Sequence, residues 1–245
     1  MIPQPSADLA SSITLGLFNK GRIRSAPAYV ATAATTNVVM RPQAYTPPAD
    51  AAQRWLSSSS ASDTSAGTGA RTVRITWFAN DMSGPFEEIV TLNGTARVGT
   101  TATNIRFIQC MEVVTVGSGG SNAGSISMHT LGSGGSVIGQ IAASDNRTFW
   151  GHHYVALGAK ALITDIEIVA NGAALSTVTM RVRNPIPTDS ASINPMGTLR
   201  CATSSIPVWF ATPIAIPGPA IVELFVQPSA TGATTHWARI GVVEV

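Results

Sequence analysis

The four histidines are the first residues to consider for metal or proton chemistry. They are His129, His152, His153 and His236. His152 and His153 are neighbours in the strand-like segment HHYVAL, so their side chains point to opposite faces and cannot bind one ion together. His129 could meet one of them across strands, but no Cys or His spacing typical of a zinc site occurs. The sequence therefore predicts no metal centre, and histidines that are exposed or half-buried.

Two carboxylates share one face of a predicted strand. Asp165 and Glu167 alternate in ALITDIEIVA, about 7 Å apart along the strand. A glycosidase needs two carboxylates on either side of a sugar cleft, which one strand cannot supply. This acidic stripe is instead expected to be solvated or paired with arginine, and the same two-residue spacing in Arg181 and Arg183 makes cross-strand ion pairs with these residues one option.

No other motif supplies a nucleophile, an acid–base pair or a phosphate loop. Glu87 and Glu88 are adjacent, so they face opposite sides of a strand. The GSGG run at 117–120 follows a strand, but neither a Lys-Ser/Thr pair nor a helix follows it. The chain has no G-x-S-x-G nucleophile elbow. We therefore predict that the protein is not an enzyme and has no catalytic residue, metal ligand or cofactor.

Trp150 is the aromatic residue with the strongest signal for ligand contact. It lies in DNRTFWGHHY, beside polar groups and a predicted turn. With His152 and Tyr154 it could form an exposed cluster that contacts a sugar or a protein partner. The alternative is a core tryptophan at the end of a strand, since large aromatic side chains are mostly buried.

The composition favours a protein that works inside an assembly. Of the 245 residues, 44% are hydrophobic and only 11% are charged, against about 25% charged in ordinary domains. Few charges then need to be desolvated at contacts between subunits. Only two of the 15 basic residues are lysine, Lys20 and Lys160, and arginine is the cation better suited to fixed interface contacts.

Charge and hydropathy exclude several partners. The net charge is +2 without a concentrated basic face, so no specific nucleic-acid binding is predicted. No run of about 18 apolar residues predicts a membrane span, and the N-terminus lacks the pattern of a signal peptide. Cys110 lies in an apolar run and is expected to be a small buried residue, while a disulfide with Cys201 is left open.

Residues 1–65 are predicted to form an extended N-terminal arm and linker. Prolines interrupt the segment, DAAQRWL (50–56) is the one stretch that favours a short helix, and SSSSASDTSAGTG has the composition of a flexible linker. Such an arm orders by lying on its own core or on a neighbour. The residues predicted to act in assembly are Ile13, Leu15, Leu17, Phe18, Arg22, Arg24 and Arg41.

Residues 66–245 are predicted to form the β-sandwich core. In TVRITWF, the side chains of Val73, Ile75 and Trp77 alternate with polar ones, and Asn93-Gly94 is a hairpin signal. Strand-like segments recur about every 8–12 residues up to a last strand expected to lie inside a sheet. The predicted fold class is all-β: an antiparallel, jelly-roll-like β-sandwich with an extended N-terminal arm.

One stretch, residues 57–130, resembles a module of virion structural proteins from tailed phages and other aquatic DNA viruses. The resemblance covers about a third of the chain: a serine-rich lead, an Asp-Thr-Ser-Ala-Gly-Thr-Gly-Ala-Arg block, a TLNG turn and a GSGGSNAG loop. The matching residues are Asp63, Gly67, Gly69, Ala70, Arg71, Asn93, Gly94, Gly117, Gly119, Gly120, Asn122 and Gly124. The resemblance assigns no catalytic residue.

The resemblance implies a virion component that acts through subunit contacts. Expected roles are capsid decoration or cement, the base of a head fibre, or a minor capsid protein, with major capsid, portal or tail proteins as neighbours. A homo-oligomer, with a trimer favoured, and assembly in the host cytoplasm would fit this setting. The alternative is a tail-associated module that binds a receptor or glycan, which would use the surface around Trp150.

Overall fold

The regular secondary structure consists of β-strands throughout the described residues. The computed structural model describes residues 22–32, 38–39, 45–171, 176–184, 194–201, 205–228 and 234–245. In chain order the strands are β1 (Arg22–Thr32), β2 (Val38–Val39), β3 (Trp55–Ser58), β4 (Ala70–Phe78), β5 (Phe86–Thr91), β6 (Val98–Gly99), β7 (Phe107–Val116), β8 (Ile126–His129), β9 (Val137–Ile141), β10 (His152–Val155), β11 (Lys160–Asn171), β12 (Ser176–Arg183), β13 (Asn194–Cys201), β14 (Ser205–Pro217), β15 (Ala220–Pro228) and β16 (Thr234–Glu244). Within those ranges no helix is long and apolar enough to cross a membrane. The predicted all-β class is confirmed.

The chain forms two compact units. Unit 1 comprises Met1–Pro42 together with Phe149–Val245, and unit 2 comprises Gln43–Thr148. Unit 2 is therefore an insertion within the sequence of unit 1. This division differs from the predicted boundary at residue 65, which falls inside unit 2.

Unit 1 contains two antiparallel sheets. Sheet A has the order β1-β16-β11-β14, and sheet B has the order β10-β15-β12-β13 with β2 also paired to β15. Apart from β2, unit 1 has eight strands in these sheets, β1 and β10 to β16, which we number one to eight in chain order. Sheet A then has the order one, eight, three, six. Sheet B has the order two, seven, four, five. This is the order of an eight-stranded jelly roll, so the predicted sandwich is confirmed for unit 1.

The core of unit 1 draws on both sheets. Its strands alternate, so that one side chain in two faces the other sheet. From sheet A the buried residues include Ile163, Ile166, Ile168, Ala238, Ile240 and Val242, and from sheet B they include Val178, Met180, Val222, Leu224 and Val226. Burying a side chain of this size contributes about 1.5–3 kcal/mol, so this layer provides most of the driving force for pairing the sheets.

Two described parts of the predicted N-terminal arm are strands of the jelly roll. All eleven residues of β1 pair with β16, and β2 pairs with β15, so residues 22–32 and 38–39 belong to the jelly roll. Arg22 and Arg24 thus lie in an edge strand of sheet A, opposite Glu244 and Val242. The other predicted assembly residues, Ile13, Leu15, Leu17, Phe18 and Arg41, lie outside the described residues. As predicted, the last strand lies inside a sheet, between β1 and β11.

Unit 2 is built from two smaller antiparallel sheets. Sheet C has the order β6-β3-β8-β9, and sheet D has the order β5-β4-β7. In β4 the side chains of Val73, Ile75 and Trp77 are buried, as their alternation predicted. Cys110 in β7 is half-buried, which differs from the predicted fully buried position.

The short helix predicted over 50–56 is absent because tertiary hydrogen bonds hold this segment extended. The backbones of Ala52 and Ile105 exchange two hydrogen bonds, at 3.3 and 3.2 Å. The Arg54 side chain is fully buried, and its Nε donates to the Ile105 carbonyl at 3.1 Å. Helix propensity differs by fractions of a kcal/mol per residue, so these contacts decide the conformation.

The Asn93-Gly94 turn forms, but it does not close the predicted hairpin. Gly94 has a φ of +60°, a conformation that glycine adopts without strain. The strands on either side of the turn pair elsewhere, β5 with β4 and β6 with β3. The turn therefore carries the chain from sheet D to sheet C.

Gly241 gives the Asp165 carboxylate room at a β-bulge in sheet A. The pairing of β11 with β16 shifts between Ile163 and Asp165, and Asp165 lies opposite Gly241. A Cβ at position 241 would lie 1.9 Å from Asp165 Oδ1. We expect Gly241→Ala to lower the free energy of unfolding by about 1–3 kcal/mol, since overpacking forces the backbone to shift.

Urea denaturation of the single and double variants would test this expectation. In an Asp165→Ala background the obstacle is removed, so the loss caused by Gly241→Ala should shrink. An equal loss in both backgrounds would show that the carboxylate is not what excludes a side chain at position 241.

Candidate interaction site in unit 2

Three loops of unit 2 meet in one cluster. They follow β3, β5 and β7, and we call residues 58–71, 92–96 and 117–125 the Asp63 loop cluster. Backbone hydrogen bonds join them: Gly94 N–H donates to Asp63 O at 2.7 Å, Ser58 N–H to Gly94 O at 2.9 Å, and Gly117 N–H to Gly69 O at 2.8 Å. Every residue of the family resemblance lies in this cluster.

The Asp63 carboxylate is the centre of the cluster. It is fully buried, and its Oδ1 accepts hydrogen bonds from the N–H groups of Ala70 at 2.6 Å and Ala123 at 2.8 Å. Its Oδ2 accepts from Ser58 Oγ at 2.5 Å and from the N–H of Gly124 at 2.9 Å. A carboxylate can accept all four of these hydrogen bonds, and bonds to a charged acceptor are stronger than neutral ones.

Three glycines of the cluster stand where neighbouring atoms leave no room for a Cβ. A Cβ on Gly69 would lie 2.1 Å from Asp63 Oδ1, and one on Gly117 would lie 2.2 Å from the Gly67 carbonyl oxygen. A Cβ on Gly67 would lie 2.0 Å from the Ser62 carbonyl oxygen. At these three positions of the family resemblance, loop packing therefore requires glycine.

Asn122 fixes the third loop from the other side. Its Nδ2 donates to the carbonyls of Gly124 at 2.8 Å and Ala142 at 2.7 Å, and its Oδ1 accepts from the Asn146 N–H at 2.9 Å. Arg71 Nε donates to the Gly67 carbonyl at 3.1 Å. The serine-rich stretch predicted to be a flexible linker is thus an ordered part of unit 2.

The exposed residues of the cluster have small, uncharged side chains, and Arg71 at its edge is half-buried. The exposed residues are Ser59, Ala61, Ser62, Ser65, Ala66, Thr68, Asn93, Thr95, Ala96, Ser118, Gly119, Gly120 and Ala123. A surface with few charges needs little desolvation, and loops already fixed by hydrogen bonds lose little conformational entropy on association. These are the properties expected of a protein contact surface.

The predicted ligand-contact residues form a buried aromatic group in unit 1. Trp150, His152 and Tyr154 are at most 2% exposed. The rings of Trp150 and His152 stack at 5.6 Å, and His152 meets Tyr154 edge-on at 5.0 Å. The exposed cluster that a ligand would need is therefore not found at these three residues, and Trp150 takes the core position that was the alternative.

Three histidines, His129, His152 and His153, are buried, whereas exposed or half-buried positions were predicted. His153 is buried with its Nε2 3.0 Å from Glu244 Oε1, while His152 stacks on aromatic rings, so the neighbours have separate surroundings as predicted. His129 is also buried, on sheet C of unit 2. In the described part of the chain, no three His, Cys, Asp or Glu side chains are placed to hold a metal ion.

The acidic stripe is ion-paired, but with a partner that the sequence did not single out. Arg239 Nη2 lies 3.0 Å from Asp165 Oδ2, and Arg239 Nε lies 3.4 Å from Glu167 Oε2. Strand β12, which carries Arg181 and Arg183, belongs to the other sheet.

The two arginines of β12 have other partners. Arg183 Nε donates to Glu223 Oε2 at 2.9 Å, and the Arg181 guanidinium lies 4.1 Å from the centre of the Phe225 ring. The predicted pairing of these arginines with Asp165 and Glu167 is therefore wrong, because strand adjacency in sequence did not give adjacency in a sheet.

Glu87 and Glu88 face opposite sides of β5, as predicted. Glu87 lies opposite Thr76, and Glu88 lies opposite Ile75. The Glu88 carboxylate accepts hydrogen bonds from the N–H groups of Thr101 at 2.6 Å and Ala102 at 3.0 Å. Glu88 thus fixes a loop and does not form an acid–base pair with Glu87.

Comparison with known proteins gives only weak likenesses. No protein-family model and no curated protein matches the chain. The solved structure of the infectious bursal disease virus VP2 subviral particle is similar at 13% identity and a TM-score of 0.23, covering 92% of this chain and 72% of that one. The structure of the STIV MCP is similar at 7% identity and a TM-score of 0.23, covering 91% and 96%. TM-scores this low do not establish a shared fold.

Proposed function

We propose that the protein is a non-enzymatic structural component of a virus particle of the tailed-phage type. Within the particle it serves as a capsid decoration or cement protein, as the base of a head fibre, or as a minor capsid protein. It acts through contacts with major capsid, portal or tail neighbours and with copies of itself, with a trimer favoured. It is assembled into virions in the host cytoplasm.

The observation that carries the proposal is the Asp63 loop cluster. Its residues are those by which the sequence resembles virion structural proteins, and they come from three separate loops that one buried carboxylate joins. The result is a hydrogen-bonded surface whose exposed residues are uncharged, which suits contact with another protein better than catalysis.

Two further features support a role in an assembly. The jelly roll of unit 1 is an architecture that recurs in viral capsid and lectin domains. The chain also has only 11% charged residues, so large parts of its surface can be buried without desolvating charges. Both features are compatible with other roles, and the loop cluster is what favours the virion.

Electron microscopy of intact particles tests the proposal. We expect the protein in stoichiometric amounts at the head surface or at a fibre base, in symmetric sets, with the Asp63 loop cluster against a neighbouring subunit. Mass spectrometry of purified particles gives the copy number independently. Absence from purified particles, or a loop cluster that faces solvent in every copy, would contradict the proposal.

A further inference from the structure

The geometry points to a saccharide-binding surface on the outer face of sheet C, with an acidic sugar as its ligand. This inference does not rest on the virion role, since it concerns a different face of unit 2 and a test on the isolated protein. The six residues that define the surface are Trp55, Ser57, Arg97, Ser127, His129 and Gln140.

Sheet C buries one face and leaves the other half-open. On the inner face Leu56, Ile126, Met128 and Ile141 are fully buried. Strand register places five of the defining residues on the opposite face, where Trp55, Ser57, Ser127 and Gln140 are half-buried and His129 is buried beneath them. Trp55 lies opposite His129, Ser57 lies opposite Ser127, and Ser127 lies opposite Gln140. Residues directly opposite in an antiparallel pair share a face, so these five side chains form one surface across three strands.

The Trp55 indole is fixed in place by two glycines. A Cβ on Gly132 would lie 3.0 Å from its Cε2 and Cζ2, and one on Gly99 would lie 3.2 Å from its Cη2. Trp55 as a residue is half-buried. An indole packed in this way offers a preorganised apolar surface for the C–H groups of a sugar.

Neutral hydrogen-bonding groups lie beside the indole in a prearranged row. Ser57 Oγ and His129 Nε2 are 3.0 Å apart, and Gln140 Nε2 donates to Ser127 Oγ at 3.0 Å. Burial, with a smaller effect from the nearby Arg97 guanidinium, lowers the pKa of His129, and a backbone hydrogen bond with Gly135 acts in the opposite direction. Hydroxyl and amide side chains can each both donate and accept, which is what sugar hydroxyl groups require.

Arg97 gives the surface its preference for an acidic sugar. Its Nη1 donates to the Leu131 carbonyl at 2.8 Å, and this bond holds the guanidinium beside the loop that packs on Trp55. Among the described residues, Arg97 forms no salt bridge, whereas Arg74 on sheet D lies 2.6 Å from Glu112. An arginine held in place and left without a carboxylate partner complements a uronic or sialic acid, whose carboxylate it can bind through two parallel hydrogen bonds.

Two exposed apolar residues border the proposed saccharide-binding surface. Leu131 is 59% exposed and Val137 is 46% exposed, at the two ends of the loop between β8 and β9.

Isothermal titration calorimetry on the full chain tests the inference. The probes are oligogalacturonate, a sialylated oligosaccharide, and each of these with its carboxyl groups reduced to alcohols. We expect binding of at least one acidic probe. The affinity for its reduced form should be at least about tenfold lower, because the reduced form loses one hydrogen-bonded contact to a charged group.

Arg97→Gln is expected to reduce the affinity for the acidic probe by about tenfold or more and to leave the weaker affinity for its reduced form unchanged. Trp55→Phe, which keeps a ring in the sheet, is expected to weaken both forms. Arg74→Gln on sheet D is the matched control, which removes one guanidinium outside this face and should leave both affinities unchanged.

Three outcomes would overturn the inference. They are no preference for the carboxylated over the reduced probes, an Arg97→Gln variant that binds like the native chain, and an Arg74→Gln variant that loses as much affinity as Arg97→Gln. A change of oligomeric state in Trp55→Phe without a change in sugar binding would assign the face to subunit contacts instead.

Discussion

Replacing Asp63 by asparagine is expected to lower the free energy of unfolding of unit 2 by about 3 kcal/mol. The carboxylate accepts hydrogen bonds from the Ser58 hydroxyl and from the N–H groups of Ala70, Ala123 and Gly124. An amide has only one acceptor oxygen and adds a donor, so at least one buried N–H group loses its acceptor. A buried donor left unpaired costs about 1–3 kcal/mol, and the bonds lost here also involve a charge.

Urea denaturation measures the global effect, and amide hydrogen exchange locates it. In the Asp63→Asn variant we expect faster exchange in peptides covering 58–70 and 117–125, with unit 1 unchanged. Asp81→Asn is the matched control, because Asp81 is an exposed carboxylate that bonds only to Ser83 among the described residues. If both variants exchange alike in the three loops, Asp63 is not what holds the cluster together.

Deleting residues 1–32 is expected to abolish the folding of unit 1, whereas deleting 1–21 should leave the fold intact and prevent incorporation into particles. The first deletion removes β1, which pairs with β16 along its whole length. Strand β16 would then become a long exposed edge of sheet A, a template for aggregation. The second deletion removes only the segment that holds Ile13, Leu15, Leu17 and Phe18, the residues proposed to anchor on a neighbour.

Circular dichroism and size-exclusion chromatography distinguish the two deletions, and an incorporation assay with native particles tests assembly. A 1–21 deletion that still joins particles at the native level would rule out the arm proposal. A 1–32 deletion that keeps the oligomeric state of the native chain and melts at the native temperature would show that β1 contributes little to the sandwich.

The fold class could be predicted because it depends on local alternation. Val73, Ile75 and Trp77 are spaced so that one face of a strand is apolar, and each of them is buried. Strand pairing could not be predicted, because β1 and β16 lie at opposite ends of the chain and no local sequence pattern indicates which strands pair. The helix predicted over 50–56 failed for a related reason, since its hydrogen bonds go to Ile105.

For the site, the sequence supplied the residues but not their roles. Asp63 and its glycines were visible through the family resemblance, yet a run rich in serine and glycine has the composition of a linker. The surface around Trp55 was missed, since Trp55, Arg97 and His129 are far apart in sequence and only the register of sheet C and its loops brings them together. Trp150 was the more conspicuous tryptophan by its polar neighbours, but the structure buries it.

By itself the sequence determined that this protein is built of strands, poor in charge and without a recognisable catalytic motif. Those properties follow from residue types and their two-residue period, which act over a few residues. Only the tertiary structure decided which strands pair, that unit 2 is inserted into a jelly roll, and that one carboxylate joins three loops. Which strands pair depends on burying complete sheet faces and on giving every buried N–H group an acceptor. These conditions are met only when segments distant in sequence are already together.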